Sequence, residues 1–243
     1  MTGLVTRMAL MSDGEERKKG VEAEREPNFL LAPFERRFLP WAAGRLPRRI
    51  LPDDMTALGV LAAFGVCAAY QLSNNGRGWL WAASGLLVLQ WVGDSLDGTL
   101  ARVRGIQRPK YGFYLDHMVD AIATAAIGLG LGLSPFMLLS IGALIVVGYL
   151  ILSINVYLES MAFGRFRLGY GLLGPTEIRV VLILLNTALA IGLGLDFRLL
   201  ELNLTVFDVI GLGIVTLMIT LLLVRVFGNL RELAREEPSA PRR

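Results

Sequence analysis

Six long apolar runs dominate the chain, near Met55–Leu72, Trp79–Gly93, Phe113–Leu133, Phe136–Tyr157, Ile178–Leu195 and Val206–Phe227. Most approach the roughly 17–25 residues that a helix needs to cross a bilayer. The composition agrees: 54% of the 243 residues are hydrophobic, and the mean hydropathy is +0.55. A soluble domain would hold about 45–50% apolar residues, scattered and not gathered into runs. The sequence therefore predicts an all-α integral membrane fold of six transmembrane helices in one domain, spanning residues 50–230. The connections fit this count. SNNGRG (73–78) and GLSP (132–135) are turn-rich, and 196–205 is a longer polar link.

Charge sets the expected orientation. Those three connections carry only Arg77 and Arg198 as cations, whereas the opposite side holds Arg36 to Arg49, the Arg102–Lys110 loop, Arg165, Arg167, Arg179 and the tail from Arg225. The positive-inside rule then places both termini in the cytosol. The compact chain suits a prokaryotic cytoplasmic (inner) membrane. A net charge of +3 gives no reason to expect nucleic acid as a partner. The single cysteine, Cys67, lies within an apolar run and can form no internal disulfide, so a small buried hydrophobe is its expected role. Residues 1–27 mix both charge signs without apolar periodicity and read as a solvated, disordered tail; residues 231–243 read as a second cytosolic tail.

Residues 28–49 read as an interfacial amphipathic helix. Leu30, Phe34, Phe38 and Trp41 recur at helical spacing, and Arg45, Arg48 and Arg49 are available to anionic lipid. Packing on the protein's own cytosolic face is a compatible alternative. Pro33, Pro40 and Pro47 predict short pieces and not one rod.

Against this apolar background, Asp94, Asp97, Asp116 and Asp120 are conspicuous. The first two are three apart and the last two four apart, so on helices each pair projects from one face. Ionisable groups at membrane depth are costly and mark binding or reaction sites. Carboxylate oxygens suit Mg²⁺ or Mn²⁺, and two facing pairs provide for two ions that could clamp a diphosphate. Gly98 and Ala101 leave room for a nucleotide, while Arg102, Arg104, Arg108 and Lys110 surround the mouth with positive charge. Carboxylates alone would equally allow a divalent-cation or proton-coupled transporter, although no internal repeat supports the inverted-repeat plans of such proteins.

The arrangement Asp94-x2-Asp97-Gly98-x2-Ala101-Arg102-x9-Gly112-x3-Asp116-x3-Asp120 resembles the signature of the CDP-alcohol phosphatidyltransferases, with all eight positions present across 27 residues. The resemblance implies a membrane transferase of phospholipid synthesis that uses a CDP-linked donor and an alcohol acceptor and releases CMP. It implies Asp94, Asp97, Asp116 and Asp120 as metal ligands, with Asp120 as the general base. Asp94, Asp97, Gly98, Ala101, Arg102 and Gly112 would face the CDP and diphosphate. Family members commonly dimerise, and a homodimer is one expected assembly, though no segment identifies an interface.

Weaker features extend the match. LPDDMTALG (51–59) resembles the family's PN-x-x-T segment, which implies that Thr56 faces the CDP moiety; a helix start capped by Asp53 or Asp54 explains it as well. GPTEIR (174–179) and the Asp116-His117 pair resemble the choline/ethanolamine phosphotransferase branch, but Phe113 stands where that branch has Glu. His117 points about 100° away from Asp116 on a helix, which favours packing, with an alternative role as base. Arg165, Arg167 and Arg179 are expected to meet a phosphorylated acceptor such as an inositol phosphate or glycerol phosphate, because guanidinium matches phosphate. Topology and lipid headgroups explain the same cations. Glu177 is expected to cap a helix, and Gln90 to line the cavity or bond a neighbouring helix.

Overall fold

The structure is a computed structural model that describes residues 30–163, 174–193, 196–199 and 202–237. The charged tail at 1–27 and the expected acceptor contacts Arg165 and Arg167 lie outside these residues. Seven α-helices are present among them. In order they are α1 (Ala32–Arg45), α2 (Pro52–Leu72), α3 (Trp79–Arg104), α4 (Pro109–Gly132), α5 (Leu139–Phe163), α6 (Pro175–Ala190) and α7 (Val206–Glu236). Four of these helices, α2, α4, α5 and α7, are long and apolar enough to cross a membrane. The other two expected spans fall on α3 and α6. α3 has 26 residues but carries Gln90, Asp94 and Asp97, and α6 has 16 residues with Glu177 and Arg179 in its first half.

By packing, the chain divides into two compact units. The larger comprises Asn28–Leu150 and Gly171–Thr220. Within it α2 is central and packs against both α3 and α4, while α3 also packs against α1 and α6. One apolar cluster joins Val66 and Tyr70 of α2, Leu80 and Leu87 of α3, Leu131, Ile141, Leu189 and Phe207. Small residues set the helix spacing, as their frequency in the runs suggests. A Cβ placed on Gly93 would lie 2.5 Å from the backbone nitrogen of Gly59, and one on Gly130 would lie 2.5 Å from Cα of Cys67. Cys67 itself is half-buried beside Ala63, Ala123 and Ala126.

α1 is one continuous helix, not the fragments that its prolines predict. Pro33 falls in the first turn, where no N–H is needed, and Pro47 lies beyond the last residue. Only Pro40 interrupts the ladder. Both expected faces exist. Ala32 is buried, and Leu39 and Ala43 are buried in a cluster with Met55, Leu96 and Leu100, whereas Phe34 and Trp41 are exposed.

The link at 196–205, expected as a plain connection, contains two strands, β1 (Asp196–Leu199) and β2 (Leu202–Thr205). They pair antiparallel from Asp196 opposite Thr205 to Leu199 opposite Leu202. The alternation of polar and apolar residues in DFRL and LNLT is the period that favours a strand. Just beyond it, Asp208 is almost wholly buried. Its Oδ2 accepts from the Thr205 N–H at 2.9 Å, and Thr205 Oγ1 accepts from the Asp208 N–H at 3.2 Å, a reciprocal cap on α7. Asp208 Oδ1 accepts from the Leu138 N–H at 2.7 Å and so satisfies a free donor at the start of α5.

In the smaller unit, the described residues are 151–163 and 221–237. Buried Glu159 there accepts from Asn155 Nδ2 at 2.7 Å, Arg225 Nη1 at 2.9 Å and Asn229 Nδ2 at 2.7 Å. These bonds tie the end of α5 to α7.

Candidate active site

The turn between α3 and α4 builds the site. α3 stops at Gly105, whose φ of 67° is the left-handed conformation that glycine adopts at low cost. Pro109 then opens α4, with its missing N–H at a position that needs none. Asp94 lies eleven residues before Gly105, and Asp120 eleven after Pro109. At about 1.5 Å per residue, both stand roughly 16 Å from the turn. Asp97 and Asp116 are nearer to it by similar amounts. The structure brings these carboxylates together. The charges of Asp94 and Asp116 act on Asp97. Asp120 lies within electrostatic reach of Asp94, Asp116 and Arg179.

The close crossing of α2 on α3 sets the position of the first pair. A Cβ on Gly59 would lie 3.3 Å from the Asp94 nitrogen. The same contact places Thr56, one turn earlier on α2, where its Oγ1 donates to Asp97 Oδ2 at 2.7 Å. Thr56 therefore meets a signature carboxylate directly. The helix-start explanation also holds for its neighbours: Asp54 Oδ2 accepts from the Leu51 N–H at 2.7 Å. Asp53 does something else and pairs with Arg108 of the α3–α4 turn.

Arg179 arrives from α6. Its Nη2 donates to Asp94 Oδ2 at 2.7 Å, and both side chains are largely buried. Arg102 lies along its own helix, with Nη2 donating to Thr99 Oγ1 at 2.9 Å. A Cβ on Gly98 would stand 3.4 Å from Arg102 Nη1, so the absent side chain makes space for the guanidinium. A Cβ on Gly112 would meet nothing within 4 Å, which leaves open space over the first turn of α4. Ala101 is half-buried.

The basic rim differs from expectation. Arg104 does not face the mouth. Its Nη2 donates to the carbonyls of Leu46 at 3.0 Å and Pro47 at 2.9 Å, and its Nη1 to that of Ile50, so it clamps the α1–α2 loop. Arg108 is held by Asp53 and stacks 3.8 Å over the Tyr111 ring. An arginine beside carbonyls with free lone pairs gains hydrogen bonds without needing a ligand. His117 Nδ1 lies 2.6 Å from the Phe113 carbonyl, and the two rings are in tilted contact with centroids 4.2 Å apart. Asp116 is 3.8 Å away.

One participant, Glu35, lacked a sequence signal. Glu35 Oε1, on α1, accepts from Trp91 Nε1 of α3 at 3.0 Å and from Thr176 Oγ1 of α6 at 2.6 Å. Glu177 caps α6 as expected, with Oε2 accepting from the Gly174 N–H at 2.9 Å. In addition its Oε1 accepts from the Leu31 N–H at 2.8 Å. Gln90 is buried on α3, and its Oε1 has no hydrogen-bond partner among the described residues.

The donor set consists of carboxylate oxygens, which suit a hard divalent cation. Among the described residues, no three His, Cys, Asp or Glu side chains close into a metal cage. Asp94 is turned to Arg179 and Asp97 to Thr56. The residues thus form a convergent set of donors whose chemistry fits the cation, with two of them engaged by protein partners.

A family model described as CDP-alcohol phosphatidyltransferase matches residues 49–224. The chain is also 34% identical over 94 residues to a phosphatidylinositol phosphate synthase of Cutibacterium acnes. That alignment covers 39% of this chain and 43% of the relative, so the chain spans less than half the length of the curated protein it matches. The family match takes in α2 to α6, the whole signature and most of α7, and the chain belongs to the CDP-alcohol phosphatidyltransferase family.

Proposed function

We propose that this protein is a six-span transferase of phospholipid synthesis, with its site open to the cytosol of a prokaryotic cell. In this reading it moves a phosphatidyl group from CDP-diacylglycerol to a phosphorylated polyol and releases CMP. The observation that carries the reading is the convergence of the four signature carboxylates with Arg179, a cation from a distant helix. The phosphatidylinositol phosphate synthase relative supports a phosphorylated acceptor, although it shares only 94 aligned residues.

The chemistry follows from the residues. Asp94, Asp97, Asp116 and Asp120 would hold Mg²⁺ or Mn²⁺, which neutralises a diphosphate and stabilises its leaving phosphate. The open backbone at Gly112 and the small Gly98 and Ala101 leave room for the CDP moiety. Arg179 pairs with the acceptor phosphate by exchanging its bond to Asp94 for one to the ligand. Asp120 takes the proton from the acceptor hydroxyl. The hydroxyl oxygen bonds the β-phosphorus, the bond from that phosphorus to the bridging oxygen breaks, and CMP leaves with the electron pair.

The choline/ethanolamine reading loses ground on two observations. Thr176 and Glu177 of its GPTE stretch are engaged by α1, and His117 Nδ1 is held by the Phe113 carbonyl. The test is to supply purified protein with Mg²⁺ or Mn²⁺, CDP-diacylglycerol and a panel of alcohols, and to identify the lipid formed. Inositol phosphate or glycerol phosphate should be converted. Conversion of diacylglycerol with CDP-choline or CDP-ethanolamine instead would replace this reading by the alternative.

A further inference from the structure

Glu35, on α1, hydrogen-bonds to both helices of the Asp94–Arg179 pair. It is half-buried on the packed face of that helix, between Ala32 and Leu39. Its Oε1 alone accepts from Trp91 of α3 and Thr176 of α6. Trp91 is three residues from Asp94, and Thr176 is three residues from Arg179. That spacing puts side chains on one helix face. Two bridges therefore join the same pair of helices on the same faces, and one of them depends on a third helix. Phe38 strengthens the attachment by stacking on Trp91 at 6.0 Å. Glu177 adds a second tie, because it joins the first N–H of the α1 turn to the start of α6.

We propose that Glu35 is a positioning residue for the transfer reaction: by bridging Trp91 and Thr176 it fixes the register of α6 on α3 at which Arg179 reaches the Asp94 side of the site. This rests on the reading of Arg179 as the contact for a phosphorylated acceptor. A carboxylate suits the task, since one oxygen can accept from an indole N–H and a hydroxyl at once. Glu177 supports the same register from the end of α6. The juxtamembrane helix is then part of the acceptor side of the site, not only a surface anchor.

The test uses the full-length protein, CDP-diacylglycerol, and whichever of inositol phosphate or glycerol phosphate it converts. Glu35→Ala should raise the apparent KM for that alcohol by roughly tenfold, the scale of a lost charge-assisted hydrogen bond. The KM for CDP-diacylglycerol should stay unchanged. Glu35→Gln keeps the accepting oxygen and should restore the wild-type KM. In an Arg179→Ala background, Glu35→Ala should add nothing. An additive effect, or equal losses for both substrates, would overturn the proposal. Hydrogen exchange separates the two readings. If Arg179→Ala leaves the acceptor KM unchanged, the assignment of Arg179 fails. The proposal as a statement about helix register then holds only if Glu35→Ala accelerates exchange in the first two turns of α6, and is overturned if it does not.

Discussion

Arg179 places its Nη2 2.7 Å from Oδ2 of Asp94, although the two residues are 85 positions apart in the chain. The contact links the signature helix α3 to a helix that the signature does not reach. It makes a specific division of labour testable: aspartates for the diphosphate, and a guanidinium for the acceptor. Arg179→Lys keeps the charge but loses the fork that matches phosphate. The acceptor KM should rise by about tenfold or more, with little change for CDP-diacylglycerol. Steady-state kinetics with each substrate varied in turn measures this.

Asp120→Asn should lower turnover by roughly 10²–10⁴-fold, the range for loss of a general base. His117→Asn should cost far less, because the His117 ring packs against that of Phe113 and its Nδ1 is taken by the backbone. Single-turnover CMP release from the two variants ranks the candidate bases directly.

Thr56→Val removes the hydroxyl that donates to Asp97 while keeping the side-chain shape. A hydrogen bond to a charged group contributes about 1.5–3 kcal/mol. If most of that serves to orient the carboxylate, Mn²⁺ binding measured calorimetrically should weaken by about tenfold or more. Thr56→Ser, which keeps the donor, should stay close to wild type.

The helix crossing under the site should tolerate no added atom. Gly93→Ala puts a methyl against the Gly59 backbone, and such overpacking costs about 1–3 kcal/mol. Gly112→Ala meets open space. Thermal unfolding in detergent should therefore separate two signature-region glycines, with a lowered Tm for Gly93→Ala and an unchanged one for Gly112→Ala.

Asp208→Ala removes acceptors for the Thr205 and Leu138 N–H groups. Loss of a helix cap costs about 0.5–2 kcal/mol. The Tm should fall while the kcat of the folded fraction stays unchanged, which marks Asp208 as structural.

The aspartates were legible in the sequence because a charge in an apolar run needs a reason, and Asp94, Asp97, Asp116 and Asp120 repeat at helical spacing. The runs on α2, α4, α5 and α7 were equally clear, since length and hydropathy are local properties. What the sequence left out is long-range. Glu35 and Thr176 are 141 residues apart, and neither stands out among its neighbours. Arg104 and Arg108 read as a basic rim, yet three-dimensional packing gives one to the carbonyls of the α1–α2 loop and the other to Asp53. The three prolines around α1 argued for breaks, but two of them fall where a helix needs no N–H. Local rules found the chemistry, and the partners that orient it came only with the fold.

The most direct measurement is CMP release by the purified wild-type protein with Mg²⁺ or Mn²⁺, CDP-diacylglycerol and a phosphorylated polyol. CMP should appear only when all three are present, in equal amount to the new phosphorylated phospholipid. Absence of CMP with every alcohol tried, from protein that still moves divalent ions into liposomes, would contradict the account and leave the carboxylates to a transporter.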